Sequence, residues 1–243
     1  NFVFLIISLV LISGFVGSAF AQQMTVEKEY SLEDITEMKN KAVLITTNEG
    51  TFMIELFPED APNTVNNFLK LVESGYYDGI VFHRIIPDFM IQAGDPNTIG
   101  PDSDRSLWGQ GGPGYTINEE FNTIQHDRGI VSMARSNHPD SAGSQFFIVH
   151  KDNNQLDGKY TVFGRLVPGL PQALDQIAKL ETNKFNQPVD ASRATIIKAS
   201  IIDGFSTANF SAPDRNASLV KKIKISGGIT ERYFNTLHDV TFD

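Results

Sequence analysis

The chain has 243 residues, 41% hydrophobic and 20% charged, the proportions of a packed globular protein rather than a disordered one. Its formal net charge of -9 argues against a nucleic-acid partner, because phosphate neutralisation needs clustered Lys and Arg, and the one basic cluster, Lys221-Lys222-Ile223-Lys224, is short. With no cysteine, disulfide staples, thiolate catalysis and cysteine-ligated metal centres are excluded.

Taken in chain order, the first segment speaks to location. Phe2 to Phe20 carries no charge, and the first charged residue is Glu27. Ser18-Ala19-Phe20-Ala21 has the small-residue form of an export cleavage site, so residues 1–21 read as a signal peptide cut after Ala21. The apolar length is also close to the roughly 18–20 residues that span a bilayer, so an N-terminal membrane anchor is the rival reading. Either one places the body of the protein outside the cytoplasm, secreted, at the cell surface or tethered to a membrane. Membrane contact is expected through this segment alone. Residues 22–40 are polar and read as a spacer with about one helical turn.

Two strands, Lys41–Thr47 and Thr51–Phe57, flank a short Gly-containing turn and predict a hairpin. Pro62 opens a helix, with Val65, Phe68, Leu69 and Val72 on one face and an end near Gly75. Further strand-like runs cover Ile80–Ile86, Phe89–Gln92, Gly129–Ala134, Gln145–Val149, Thr161–Val167 and Thr195–Asp203. A second amphipathic helix is expected over Leu170–Leu180. Eight strands and two helices predict a mainly β fold, a closed eight-stranded antiparallel barrel capped by two α-helices. Phe146, Ile148 and Val162 are expected to fill its interior. Gly94–Gly114, rich in Gly, Pro, Asp and Ser, reads as a long surface excursion of the kind that usually serves function. The remaining residues, 204–243, form an extension with one strand-like run, Leu219–Ile225, and glycosylation sequons at Asn209 and Asn216.

Familiar catalytic signatures are absent: no H-E-x-x-H, no G-x-S-x-G and no P-loop. Gly109 to Gly114 satisfies G-x-G-x-x-G in form, yet it contains Pro113 and neither follows a strand nor opens a helix. The unusual residues gather in two segments. In the first, Phe82-His83-Arg84-Ile85-Ile86-Pro87-Asp88-Phe89-Met90-Ile91-Gln92, alternation puts Phe82, Arg84 and Ile86 on one strand face and Met90 and Gln92 on the next. From the residues alone, Arg84 points either to solvent or a structural carboxylate, or serves as a cationic donor beside an apolar pocket.

The second segment runs from Gly129 to Gly164. Its runs Ser132-Met133-Ala134, Gly143-Ser144-Gln145-Phe146-Phe147-Ile148, Leu156-Asp157-Gly158-Lys159-Tyr160 and Val162-Phe163-Gly164, with the FHRIIPDFMIQAGD segment before them, closely resemble the cyclophilin family of peptidyl-prolyl cis-trans isomerases. The match is collinear from about Ala42 to Asp203. The resemblance implies a folding catalyst acting on proline-containing polypeptides, with no metal and no cofactor. A module that binds proline segments without turnover is the alternative. It also implies that Arg84 is the catalytic arginine, and that Phe89, Met90, Phe147 and Leu156 form the apolar wall of a proline pocket. Gln92 and Gln145 are then its polar residues, and Ala134 with Arg135 the strand edge that meets substrate backbone. This sequence departs from the best-known eukaryotic pattern at Arg135 for Asn, Gln155 for Trp and Tyr160 for His. The loss of Trp at Gln155 implies weakened binding of cyclosporin.

Overall fold

In a computed structural model, which describes residues 29–167 and 173–206, the first hairpin forms as β1 (Lys41–Thr47) and β2 (Gly50–Leu56). Thr47 pairs with Gly50, so Asn48 and Glu49 make a two-residue turn. Gly50 sits at φ +119°, a conformation that β-branched or bulky residues rarely adopt.

The spacer expected over residues 22–40 carries a full helix instead, α1 (Leu32–Lys39). Ser31 Oγ accepts a hydrogen bond from the Asp34 N–H at 3.1 Å, and the Asp34 carboxylate accepts one from the Ser31 N–H at 2.9 Å. This reciprocal cap satisfies two orphan donors and starts a helix that polar composition alone does not suggest. The second helix, α2 (Pro62–Glu73), buries Val65, Phe68, Leu69 and Val72 as the spacing predicts. It has no cap of its own at Ala61. The Glu120 carboxylate serves from afar, accepting from the Asn63 N–H at 2.9 Å and the Thr64 N–H at 2.8 Å.

The remaining strands are β3 (Arg84–Ile86), β4 (Met90–Ala93), β5 (Ile130–Met133), β6 (Phe146–Val149), β7 (Val162–Leu166) and β8 (Ile196–Asp203), with α3 (Leu174–Ala178) before the last. All pairings are antiparallel, in the order β3-β4-β6-β5-β7-β2-β1-β8. The sheet is a curled half-barrel. Its two edge strands share no ladder. They are linked by the chain ahead of β3: the Gly79 N–H bonds the Ile196 carbonyl, Ile196 N–H bonds Ile80, and Phe82 N–H bonds Ala194, each at 2.8 Å. Three α-helices are present among the described residues, where two were expected. The start of the helix expected at Leu170, the apolar segment 1–21, the run Leu219–Ile225 and the sequons at Asn209 and Asn216 lie outside the described residues.

Alternation along β6 divides the molecule into two apolar regions. Phe146 and Ile148 join the main core with Phe52, Phe68, Phe82 and Phe163. Phe147 and Val149 face the other way, with Met90, Ile130 and Val162. Val162, expected inside, is therefore on the outer face, because β7 turns its neighbour Phe163 inward. Phe82 also departs from expectation. Regular strand begins only at Arg84, so Phe82 is committed to Ala194 by its backbone and to the core by its ring, opposite to Arg84.

Candidate active site

The outer face of β3, β4, β6 and β5 carries the site, and register alone lines up its residues. Arg84 pairs with Gln92, Gln92 with Phe147, and Phe147 with Ser132, a row running straight across four strands. One step along, Ile86 pairs with Met90 and Met90 with Val149. Residues facing one another in this way share a sheet face.

The polar row is held by a chain of amides. Arg84 Nη1 donates to Gln92 Oε1 at 3.4 Å, Gln92 Nε2 to Gln145 Oε1 at 2.9 Å, and Gln145 Nε2 to the Gly111 and Gly109 carbonyls at 2.8 and 3.1 Å. Each carbonyl oxygen thus faces back towards the guanidinium. The glycine-rich excursion anchors the far end. Gly94, at φ +99°, lets that chain approach β6, since a Cβ there would collide with the Ser144 carbonyl oxygen.

Arg84 is exposed and makes no ion pair among the described residues. Partial burial draws its guanidinium down from the ordinary value, opposed by the Tyr160 phenol, and an arginine remains charged throughout. Beside it lies the outer apolar cluster, Met90 and Phe147 buried, with Phe89, Ala134, Leu156 and Tyr160 partly buried around them. Phe147 meets Tyr160 edge-on at 5.5 Å between ring centroids. Arg135 lies over the Tyr160 ring at 4.9 Å and donates to the Lys159 and Ser136 carbonyls at 2.8 and 2.9 Å. The Ala134 N–H is taken by the Gln145 carbonyl at 2.9 Å. Hydrogen bonds, ring contacts and apolar packing thus bring the ten residues singled out by sequence into one neighbourhood. Gln155 stands exposed on the rim, its own carbonyl accepting from Lys159 Nζ at 2.9 Å.

Behind Phe147 is a polar string that sequence reasoning missed. His126, fully buried, stacks on the Phe147 ring at 6.0 Å with 16° between planes. Its Nε2 lies 2.9 Å from Ser132 Oγ and its Nδ1 2.9 Å from Asp157 Oδ1. Burial raises the Asp157 carboxyl, but the backbone and ring hydrogen bonds from His126 and that from Asn154 outweigh it and hold the group below its ordinary value. Ser–His–Asp in this order suggests a nucleophile, yet Ser132 is fully buried and no substrate carbonyl could reach it. The string is a strut under the pocket floor. No sequence signal joins these three residues, which lie in separate elements.

Comparison with known proteins matches residues 42–201 to the family described as cyclophilin type peptidyl-prolyl cis-trans isomerase/CLD. The chain belongs to this family. It is 42% identical over 160 residues to a peptidyl-prolyl cis-trans isomerase-like 3 of Rhizopus delemar, covering 63% of this chain and 90% of that one. A peptidyl-prolyl cis-trans isomerase-like 2 of Cryptococcus neoformans is 43% identical over 163 residues, which are 63% of this chain but only 28% of that longer protein. Among solved structures, a Cryptosporidium parvum cyclophilin type isomerase crystallised in the presence of the dipeptide ala-pro is 36% identical, with a TM-score of 0.58 over 66% of this chain and 98% of that one. Within this cyclophilin, FHRIIPDFMIQAGD supplies β3 and β4, and the Gly143–Ile148 motif supplies β6. These two motifs are thus the strands that carry the row from Arg84 to Phe147.

Proposed function

We propose that this cyclophilin is an active peptidyl-prolyl cis-trans isomerase with Arg84 as its catalytic residue. The observation that carries the reading is a guanidinium free of any carboxylate among the described residues, steadied by Gln92, at the edge of an apolar pocket. Rotation about an X–Pro bond faces a barrier of about 18–20 kcal/mol because amide resonance must be broken. At the twisted transition state the prolyl nitrogen loses conjugation and becomes a hydrogen-bond acceptor. A fixed cationic donor aimed at that nitrogen binds the twisted amide better than either planar state, which is what lowers a barrier. Phe89, Met90, Phe147 and Leu156 grip the proline ring, while Ala134, Arg135 and Gln145 line the path of the flanking chain. The same reading takes the curled sheet as the family's closed barrel, with its seam at residues 79–82 and 194–196. A protease-coupled isomerisation assay on a proline peptide tests the function. Peptide binding without turnover would instead make the protein a non-catalytic proline-binding module.

We propose also that the isomerase domain, residues 41–203, works outside the cytoplasm on exported proteins, following removal of residues 1–21. Among the described residues no helix is long and apolar enough to cross a membrane. N-terminal sequencing of native material should begin at Gln22. Recovery of the intact apolar stretch in the membrane fraction would establish the anchored form, and an intact stretch in the cytoplasm would overturn export.

Cyclosporin inhibition should be weak. Where the family pattern has Trp, Gln155 offers a flexible amide whose ordering costs roughly 0.5–1.5 kcal/mol, and it lacks the flat aromatic face. Turnover depends instead on Phe89, Met90, Phe147 and Leu156, so the wild type should be active yet poorly inhibited, and Gln155→Trp should regain part of the inhibition. Tight inhibition of the wild type in a titration, or no gain in the variant, would sink this expectation.

A further inference from the structure

The connection between β3 and β4 carries Phe89 into the pocket, and it is built in an unusual way. The Phe89 N–H bonds the Ile86 carbonyl at 3.1 Å, closing a turn with Pro87 and Asp88 at its centre. Asp88 sits at φ +59°, one of two non-glycine residues with positive φ among those described. Pro followed by a residue of positive φ is the pattern of a type II turn, where glycine is the natural occupant. Among residues with a Cβ, Asp and Asn are the ones that visit this region, as single residues whose short side chain can bond locally. The Asp88 carboxylate gives little local support: it lies 3.9 Å from Lys151 Nζ, with both side chains well exposed.

His150, one residue beyond β6, holds this turn from both sides. Its ring Nδ1 accepts the Asp88 N–H at 2.9 Å, and its own N–H donates to the Phe89 carbonyl at 2.9 Å. A backbone N–H can only donate, so Nδ1 must present a lone pair and the ring proton must sit on Nε2. Nε2 lies 3.0 Å from Asp175 Oδ1, an acceptor placed to receive that proton. Arg128 completes the brace, with Nη2 2.9 Å from the same Asp175 oxygen and Nη1 2.6 Å from the His150 carbonyl. From α3 through the imidazole to the turn, each hydrogen bond therefore fixes the direction of the next.

We propose that His150, oriented by Asp175 with its ring proton on Nε2, is a positioning residue that keeps the strained Asp88 turn closed and so sets Phe89 against the proline ring. This rests on the isomerase reading of the site. His150 touches no substrate; it acts through the turn.

The test has a kinetic arm and a spectroscopic one. His150→Ala should lower kcat/KM by about 3- to 10-fold, the worth of one backbone-anchoring hydrogen bond, and chiefly through KM, since proline is gripped less well. His150→Asn, whose side-chain oxygen can stand near the lost Nδ1, should retain most activity. Asp88→Gly supplies a residue at ease with positive φ, so in that background His150→Ala should cost less than about two-fold. A folded His150→Ala with wild-type kcat/KM would overturn the proposal. So would an equal loss in both backgrounds, which would place the role of His150 in α3 rather than in the turn. Should His150→Ala fail to fold, the ring nitrogen shifts of wild-type His150 decide: an unprotonated Nδ1 is expected, and a proton on Nδ1 would overturn the idea. A wild type without isomerase activity would sink the reading of the site, whereas a wrong tautomer in an active enzyme sinks this proposal alone.

Discussion

Replacing Arg84 with Ala should cut kcat/KM by about 10²–10³ while leaving the fold intact. Loss of one charged donor preorganised toward a transition state is worth this much in other enzymes. The fold should survive because Arg84 is exposed on the outer face, makes one long hydrogen bond to Gln92 and contributes nothing to the main core. Arg84→Lys should recover little, because an ammonium on a flexible stem cannot reproduce the planar donor beside Gln92. Unchanged kcat/KM in a folded Arg84→Ala would remove Arg84 from catalysis. A matching loss of thermal stability would instead show that its role is structural.

The neighbouring residue should dominate the acid stability of the protein. His83 is buried, neither ring nitrogen has a hydrogen-bond partner, and burial pulls its pKa down from 6.5 to about 4 despite the Asp95 carboxylate nearby. Between those values the unfolded chain binds a proton that the folded chain refuses, so stability is fully present above pH 6.5 and falls as pH drops towards 4. The loss at full extent is on the order of 3 kcal/mol. Denaturant titrations at pH 7.5 and pH 4.5 should show most of it, and His83→Gln, which cannot titrate, should flatten that part of the slope. An identical pH dependence in the variant would mean that other groups cause it.

Most of the functional face was legible because it is encoded locally. FHRIIPDFMIQAGD is β3, a turn and β4, and GSQFFI runs into β6, so alternation sets Arg84 apart from Ile85, Gln92 from Ile91 and Phe147 from Phe146, while pairing register and the family resemblance bring Arg84, Gln92 and Phe147 together. What escaped is held together across the chain. His126, Ser132 and Asp157 meet only when β5 and the loop before β7 are stacked, and a lone histidine in sequence carries no mark of what will cover it. His150 is similar, since its meaning depends on a turn about sixty residues earlier. Helix α1 is a different kind of omission. Ser31-Leu32-Glu33-Asp34 is a legible capping signal, overlooked because the residues that follow are too polar to show a strong apolar stripe. Phe82 was misplaced by carrying alternation past the start of β3, where irregular backbone resets it, and Val162 by its bulk, which does not say which way a strand residue faces.

Strands β1 and β8 lie side by side, with Lys41 opposite Asp203, and the Phe205 N–H bonds the Asn40 carbonyl at 2.8 Å. The chain therefore enters and leaves the sheet at a single corner. A pull applied at residues 40 and 205 could not open the sheet from opposite ends, since both loads would fall on the same pair of neighbouring strands.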